Sequence, residues 1–168
     1  SYAIAAAGRG ERSAIFAFDE GLATLLARAR SLGMDLPAAL DSGLIRHRQI
    51  DPAEMSPGEF AALVRRSVEV DGAKLIIIDS LNGYLNAMPD ERFLILQMHE
   101  LLSYLGFRGV VSIMVLAQHG LIGPMQTPVD ISYLSDTVLM LRYFEAHGRI
   151  RRALSVVKKL SLIHISEP

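Results

Sequence analysis

Acidic, hydroxyl and amide side chains directly follow three apolar segments of the sequence. They are Asp19 and Glu20 after SAIFAF, Asp79 and Ser80 after KLIII, and Gln118 after VVSIMVLA. If these segments are parallel strands of one open sheet, their carboxyl ends meet at one edge, which is where such sheets bind ligands. Carboxylates and an amide at that edge are the groups that a site for a metal-bound nucleotide requires.

Asp79 ends an apolar run, and this pattern has two interpretations. An acidic residue at this position can help to hold, usually through water, the Mg²⁺ that bridges nucleotide phosphates. Many buried strands also end in Asp because its side chain caps the next turn. The pattern by itself favours neither interpretation.

Asp19 and Glu20 are adjacent acids, and one of them could orient or deprotonate an attacking water molecule. The alternative is that Asp19 caps a helix beginning near Gly21 while Glu20 interacts with the positive end of that helix. Spacing alone favours this alternative.

The remaining polar candidates also have simpler interpretations. Gln118 could sense a terminal phosphate by hydrogen bonding, or it could bond local backbone. His119 has no second His or Cys at ligand spacing, which favours a structural role. Lys158 and Lys159 are either solvated charges or, in a ring assembly, cations that reach a neighbour's nucleotide.

Hydrophobic periodicity predicts the elements that must position these side chains. Strands are predicted at residues 13–18, 44–50 (weak, near a sheet edge), 74–79, 110–117, 137–145 and 149–158, and helices at 22–32, from a capping box at Ser56 to about residue 70, and at 90–104. Residues 1–7 have the composition of the end of a helix, 80–89 of a polar turn, 118–130 of an irregular loop, and His147-Gly148 of a tight turn. The strands at 74–79 and 110–117 are expected to be buried on both faces. This alternation predicts an α/β fold with a mainly parallel sheet, helices on both faces and a C-terminal antiparallel hairpin.

Length and composition favour a single globular domain. The chain has 168 residues, of which 51% are hydrophobic, a formal net charge of −1 and no cysteine. The balanced charge gives no net electrostatic argument for binding nucleic acid or an anionic membrane. The longest apolar run, at 110–117, is much shorter than the roughly 20 residues that span a bilayer. A soluble, cytoplasmic protein is therefore expected.

Several longer motifs occur in a fixed order along the chain: FDE, LLARARSLGMDL, IDPAEMSPGEF, IIIDSLNGYLNAMPDERF, LSDTVLMLRYFE and SVVKK. In this order they resemble the KaiC-like ATPases, a group within the RecA/DnaB branch of P-loop NTPases that includes circadian clock proteins. The resemblance covers nearly all of residues 1–159. It implies a three-layer RecA-like P-loop NTPase fold.

The sequence contains no G-x-x-x-x-G-K-[ST] phosphate loop. In the KaiC-like family this loop lies one strand and half a helix before the FDE segment, so the resemblance implies that the first strand and the P-loop are missing ahead of Ser1. Residues 160–168, LSLIHISEP, are expected to be a non-native tail translated from a sequencing adapter. Residues 1–159 would then form a partial ATPase domain, which is expected to bind ATP poorly.

The resemblance also implies roles for individual residues. Asp19 and Glu20 match the catalytic acidic pair, with Glu20 expected to be the principal base, and Asp79 matches the acid that helps to hold Mg²⁺. The other expected contacts with nucleotide are Ser31, Ser80, Gln118 and, from a neighbouring subunit, Lys158. Ser132 stands where clock members carry a phosphoacceptor, but Tyr133 replaces the accompanying Thr, so a two-site phosphorylation cycle is not expected.

These expectations describe an Mg²⁺-dependent ATPase, with ATP and Mg²⁺ as its cofactors, in a ring that is expected to be a homohexamer. Serine/threonine autokinase activity rests on the resemblance alone. One alternative is a DNA-dependent ATPase of the RecA or DnaB type, although residues 120–130 contain no Lys, Arg or aromatic residue to bind a single strand. The other alternative is a scaffold that binds partners without hydrolysis.

Overall fold

The computed structural model of the chain describes residues 1–85, 91–117 and 134–159. It contains two compact units, Ser1–Ala117 and Gln118–Pro168. The predicted loop at 118–130, with Gln118 and His119, lies outside the described residues, as do Ser132 and the tail at 160–168.

The first unit alternates helices with parallel strands. Its elements are α1 (Tyr2–Gly8), β1 (Arg12–Ala17), α2 (Leu22–Ser31), α3 (Leu36–Asp41), β2 (Ile45–Gln49), α4 (Pro57–Glu69), β3 (Ala73–Asp79), α5 (Leu81–Leu85), α6 (Glu91–Phe107) and β4 (Val111–Met114). The four strands form one sheet in the order β2-β1-β3-β4, and every pair within it is parallel. The prediction that residues 44–50 form an edge strand is confirmed, because β2 pairs only with β1 in this sheet.

Helices cover both faces of this sheet. Ile15 and Ile77 pack on one face against a buried cluster that includes residues of α1, α2 and α3. Phe16, the neighbour of Ile15 in β1, contacts Phe60 of α4 edge-to-face, with ring centroids 5.5 Å apart. Because adjacent strand residues point to opposite faces, α4 lies on the other side of the sheet. The predicted three-layer arrangement is confirmed.

Helix α4 begins where the sequence predicts. The Ser56 hydroxyl accepts a hydrogen bond from the Glu59 backbone N–H at 3.3 Å, and the Ser56 backbone N–H donates to Glu59 Oε2 at 2.8 Å. These two bonds form a capping box, which satisfies amide groups that the first turn of a helix otherwise leaves unpaired. The helix is also joined to α6, where the Tyr104 hydroxyl donates to Glu69 Oε1 at 2.7 Å.

Three local predictions differ from the structure. Part of the predicted polar turn at 80–89 is helix α5, because Leu81 and Tyr84 are buried and tertiary packing outweighs the polar composition. Helix α3 was not predicted, although Asp35 accepts a hydrogen bond from the Ala38 backbone N–H as its N-cap. The strand predicted at 110–117 is shorter and is not fully buried. Val111 is 61% exposed, and β4 has only β3 as a neighbour in the described part of the sheet.

The second unit contains the predicted antiparallel hairpin, formed by β5 (Thr137–Ala146) and β6 (Arg149–Lys159). His147 and Gly148 connect the strands with φ angles of 54° and 66°. Two positive φ angles are characteristic of the turn that best matches the twist of a hairpin, and glycine adopts them without steric cost. The prediction of a tight turn at these two residues is confirmed.

None of the helices in the described part of the chain combines the length and apolar character needed to cross a membrane.

Candidate active site

The three strands at the centre of the candidate site end level with one another. Ala17, the last residue of β1, is paired with Gln49 of β2 on one side and with Asp79 of β3 on the other. The Phe18 backbone N–H donates to the Asp79 carbonyl at 2.7 Å, which extends the β1–β3 pairing by one residue. Asp19 and Glu20 therefore leave the sheet beside Asp79 and Ser80, at the carboxyl edge where parallel sheets bind ligands.

Asp19 is bonded to the end of β3. The buried Ser80 hydroxyl donates to Asp19 Oδ2 at 2.5 Å, while the peptide between Asp79 and Ser80 is cis. Helix α2 has Gly21 as its N-cap and no capping bond from a side chain. The interpretation of Asp19 as the cap of that helix is therefore wrong. Asp19 instead joins the ends of β1 and β3.

Glu20 contacts a different neighbour. Its Oε2 accepts a hydrogen bond from Nη2 of Arg28 at 2.5 Å, across the loop that leads into α2. The Glu20 side chain is 21% exposed and that of Arg28 is 53% exposed. Glu20 is thus a partly shielded carboxylate held by a single guanidinium.

His47 of β2 lies near enough to Glu20 for the two charges to interact. Burial of the imidazole lowers its pKa below the usual value, while the charge of Glu20 acts in the opposite direction. Nε2 of His47 is buried, and no residue in the described ranges forms a hydrogen bond with it. This half-buried histidine therefore favours its neutral form beside Glu20.

Asp79 is the residue best suited to contribute to a magnesium site. Its side chain is half-buried at the end of β3, and carboxylate oxygen is a ligand that Mg²⁺ prefers. In the described ranges, no three His, Cys, Asp or Glu side chains lie close enough to form a metal site of their own. A carboxylate at this edge suits Mg²⁺, which usually keeps several waters and is bound through one or two carboxylates together with substrate phosphates.

Asn82 is a residue that the sequence analysis did not identify. Its Nδ2 donates to the Ala117 carbonyl at 2.9 Å, and its Oδ1 accepts from the Ala117 backbone N–H at 2.7 Å. This pair of bonds fixes the chain beyond β4, immediately before Gln118. The sequence carried no signal for this role, because an Asn in a polar stretch is most often an ordinary turn residue.

An open cleft of about 450 Å³ lies beside the same edge. Phe18, Gln49 and Met55 contribute to its lining, together with residues between them in the loop that joins β2 to α4. The cleft thus lies next to the segment that carries Asp19 and Glu20.

Two other predicted nucleotide contacts have defined positions in the chain. Ser31 is the last residue of α2, where its exposed hydroxyl donates to the Arg28 carbonyl at 2.8 Å. Lys158 lies in β6, opposite Val138 of β5. Gln118 and Ser132 are outside the described residues. The roles proposed for Ser31, Lys158, Gln118 and Ser132 all stay predictions.

A three-layer fold whose parallel strands bring an acidic pair and a further Asp to one edge is the arrangement expected of a RecA-like domain. The chain belongs to the KaiC ATPase family, since the family model described as "ATPase: KaiC" matches residues 1–164.

Comparison with individual proteins gives similarities at low identity. The chain is 26% identical to the circadian clock oscillator protein KaiC of Picosynechococcus sp. over 89% of its own length and 29% of that protein. It is 26% identical to the circadian clock oscillator protein KaiC 1 of Synechocystis sp. over 88% of its length and 28% of that protein. It is also 23% identical to the circadian clock protein KaiC3 of Synechocystis sp. over 92% of its length and 31% of that protein. The chain therefore spans less than a third of the relatives that it matches.

Proposed function

We propose that this chain hydrolyses ATP as part of a KaiC-like domain and that Glu20 is the base that activates water. The observation that carries this proposal is the level ending of β1 and β3, which sets Glu20 and Asp79 at one edge of the sheet. Asp19 is bonded to Ser80. Glu20 is held through one oxygen only by Arg28. Each acid thus accepts one hydrogen bond through one oxygen and keeps the other, so these bonds do not distinguish the two. Glu20 is proposed as the proton acceptor because its side chain is one methylene longer and reaches further from the edge of the sheet.

In the proposed reaction, Glu20 takes a proton from water as the water oxygen bonds to the terminal phosphorus of ATP. The bond between that phosphorus and its bridging oxygen breaks, which releases ADP and inorganic phosphate. Asp79 would hold Mg²⁺, whose charge neutralises the phosphate oxygens when it is bound. Asp19 and Ser80 hold the strand ends together, so that Glu20 and Asp79 keep a fixed separation.

The proposal extends to assembly and location. We propose a homohexameric ring in which each nucleotide is contacted by Ser31 and Gln118 of its own subunit and by Lys158 of the neighbouring subunit. We also propose that the protein is located in the cytoplasm. The proposal also includes serine autokinase activity, with Ser132 as the residue that accepts the phosphate. These parts are supported by membership of the KaiC ATPase family, and two of the relatives are named as circadian clock oscillator proteins.

The experiment is steady-state ATP hydrolysis by the full-length protein carrying Glu20→Gln. Loss of a general base lowers kcat by about 10²- to 10⁴-fold, and folding should be intact because Gln keeps the size of the side chain. The matched control is Glu11→Gln, the same chemical change at another glutamate bonded to an arginine. Glu11 immediately precedes β1, at the edge of the sheet opposite the candidate site, so this substitution should leave kcat within about twofold. An equal kcat for Glu20→Gln and the wild type would refute the assignment of Glu20.

A further inference from the structure

The carboxylate of Glu20 is oriented by one residue of the helix that follows it. Arg28 lies eight positions further along the chain, and its Nη2 donates to Glu20 Oε2 at 2.5 Å. Long side chains of a helix point back toward its N-terminus, which brings the guanidinium of Arg28 over the loop that contains Glu20. Sequence separation alone would not pair these residues, because it is twice the spacing of ordinary helical ion pairs.

The base of the Arg28 side chain is rigidly placed. Its neighbour Ala29 is 2% exposed and belongs to the buried cluster that joins α1, α2 and α3. The Ser31 hydroxyl donates to the Arg28 carbonyl at 2.8 Å and closes the last turn of α2. The backbone that carries Arg28 is thus fixed against the core, while its guanidinium extends to Glu20.

The contact uses one oxygen of the carboxylate. Among the described residues, only Arg28 bonds to Glu20, and it does so through Oε2. Oε1 is therefore left to accept a proton. A guanidinium has no acceptor and keeps its proton throughout the physiological range, so it can orient the carboxylate without competing for the proton that the carboxylate takes up.

We propose that Arg28 is a positioning residue for the reaction, which holds Glu20 through Oε2 so that Oε1 faces the attacking water. This inference rests on the proposed function of Glu20 as the base. Arg28 itself touches neither water nor nucleotide in this role. Its effect falls on kcat rather than on KM, because it orients a group that acts only in the chemical step.

The test is a double-mutant cycle in ATP hydrolysis with Arg28→Gln and Glu20→Gln, alone and combined, in the full-length protein. We expect Arg28→Gln to lower kcat by about two- to fivefold, the range that a partly exposed ion pair allows, with KM for ATP unchanged. Arg28→Lys should recover part of the loss, because it keeps the charge but not the planar guanidinium. Since Arg28 acts through Glu20, Arg28→Gln should cause no further loss in the Glu20→Gln background.

Arg30→Gln is the matched control, because Arg30 is a second exposed arginine in the same last turn of α2. It should leave kcat unchanged and should report any general effect of losing a positive charge from the helix. A rise in KM with unchanged kcat would overturn the inference and make Arg28 a nucleotide contact. The same loss of kcat in the wild-type and Glu20→Gln backgrounds would also overturn it, since the effect would then not pass through Glu20.

A second measurement does not depend on hydrolysis. The same four proteins, compared by urea unfolding, should show that the Arg28 and Glu20 substitutions are coupled by about two- to fivefold in the unfolding equilibrium constant. Independent effects of the two substitutions would overturn the inference even if the protein hydrolyses ATP. If coupling is present but Glu20→Gln leaves kcat unchanged, the proposed base is wrong, and the role proposed for Arg28 in the reaction is refuted with it.

Discussion

Gly83 is the position where the candidate site has the least space. It lies in α5, directly after the end of β3, and a Cβ atom added there would come 2.4 Å from Cβ of Phe18 and 3.3 Å from Oδ1 of Asp19. Optimal carbon–carbon contacts are about 3.5–4.0 Å, so the methyl group of Gly83→Ala is more than 1 Å too close. Cβ of Phe18 is fixed to the backbone and cannot rotate away. Either α5 or the segment from Phe18 to Asp19 must therefore move.

The expected size of the effect follows from two opposing contributions. Overpacking of a well-packed region costs about 1–3 kcal/mol, whereas replacing Gly by Ala within a helix gains up to about 1 kcal/mol. We expect Gly83→Ala to lower the free energy of unfolding by about 1–2 kcal/mol. The midpoint of thermal unfolding should fall by about 2–8 °C, given about 2–4 °C per kcal/mol for a chain of this length.

Urea unfolding followed by circular dichroism measures this change, with Gly106→Ala as the matched control. Gly106 lies in α6, and an added Cβ would meet no atom within 4 Å. This substitution should therefore raise the free energy of unfolding by about 0.5–1 kcal/mol. If Gly83→Ala is as stable as the wild type, the close approach of α5 to Phe18 is not a constraint of the folded protein.

Two further predictions concern polar groups of the sheet. Ser13→Ala should raise the free energy of unfolding, measured in urea, by about 1 kcal/mol, because the buried Ser13 hydroxyl has no partner among the described residues. The control is Ser67→Ala, which removes a buried hydroxyl that donates to the Leu63 carbonyl at 3.2 Å and should bring no such gain. Lowering the pH through the ordinary histidine pKa of 6.5 should destabilise the protein, because burial lowers the pKa of His47 and the unfolded chain then binds a proton that the folded chain does not. Urea unfolding at about pH 7.5 and about pH 5.5 should show a smaller loss for His47→Gln than for the wild type, and equal losses would contradict this assignment.

The sequence was sufficient to predict the parts of the fold that depend on local patterning. The apolar run before Asp79 predicted β3, and Ser56 with Glu59 predicted the start of α4, because periodicity and capping are properties of neighbouring residues. Helix α5 was missed, since its burial depends on Leu81 and Tyr84 packing against distant elements. The half-exposed β4 was misjudged for a similar reason. Its apolar composition resembles that of a central strand, but its burial depends on which elements cover its two faces.

The candidate site was predictable as a location but not as a set of contacts. Parallel sheets bind ligands at the carboxyl ends of their strands, and this rule predicted that Asp19, Glu20 and Asp79 lie at one edge. The register of β1 and β3 confirms that placement. The bond between Ser80 and Asp19 joins residues 61 positions apart, and that between Asn82 and Ala117 joins residues 35 positions apart. Contacts at such separations depend on strand order and register, which periodicity does not specify.

The two adjacent acids of the site illustrate why sequence position does not assign a chemical role. Asp19 lies against the end of β3, where it accepts a hydrogen bond from Ser80 in addition to the backbone pairing of the two strands. Glu20 lies on the side of α2, where a guanidinium orients it through a single oxygen. Both carboxylates accept one hydrogen bond of 2.5 Å and keep a second oxygen, so bond length and available oxygens do not distinguish them. What differs is the partner, since Asp19 is bonded to a neighbouring strand and Glu20 to the helix that follows it. The longer side chain of Glu20 therefore carries the assignment of the base, although in the sequence the two acids are neighbours.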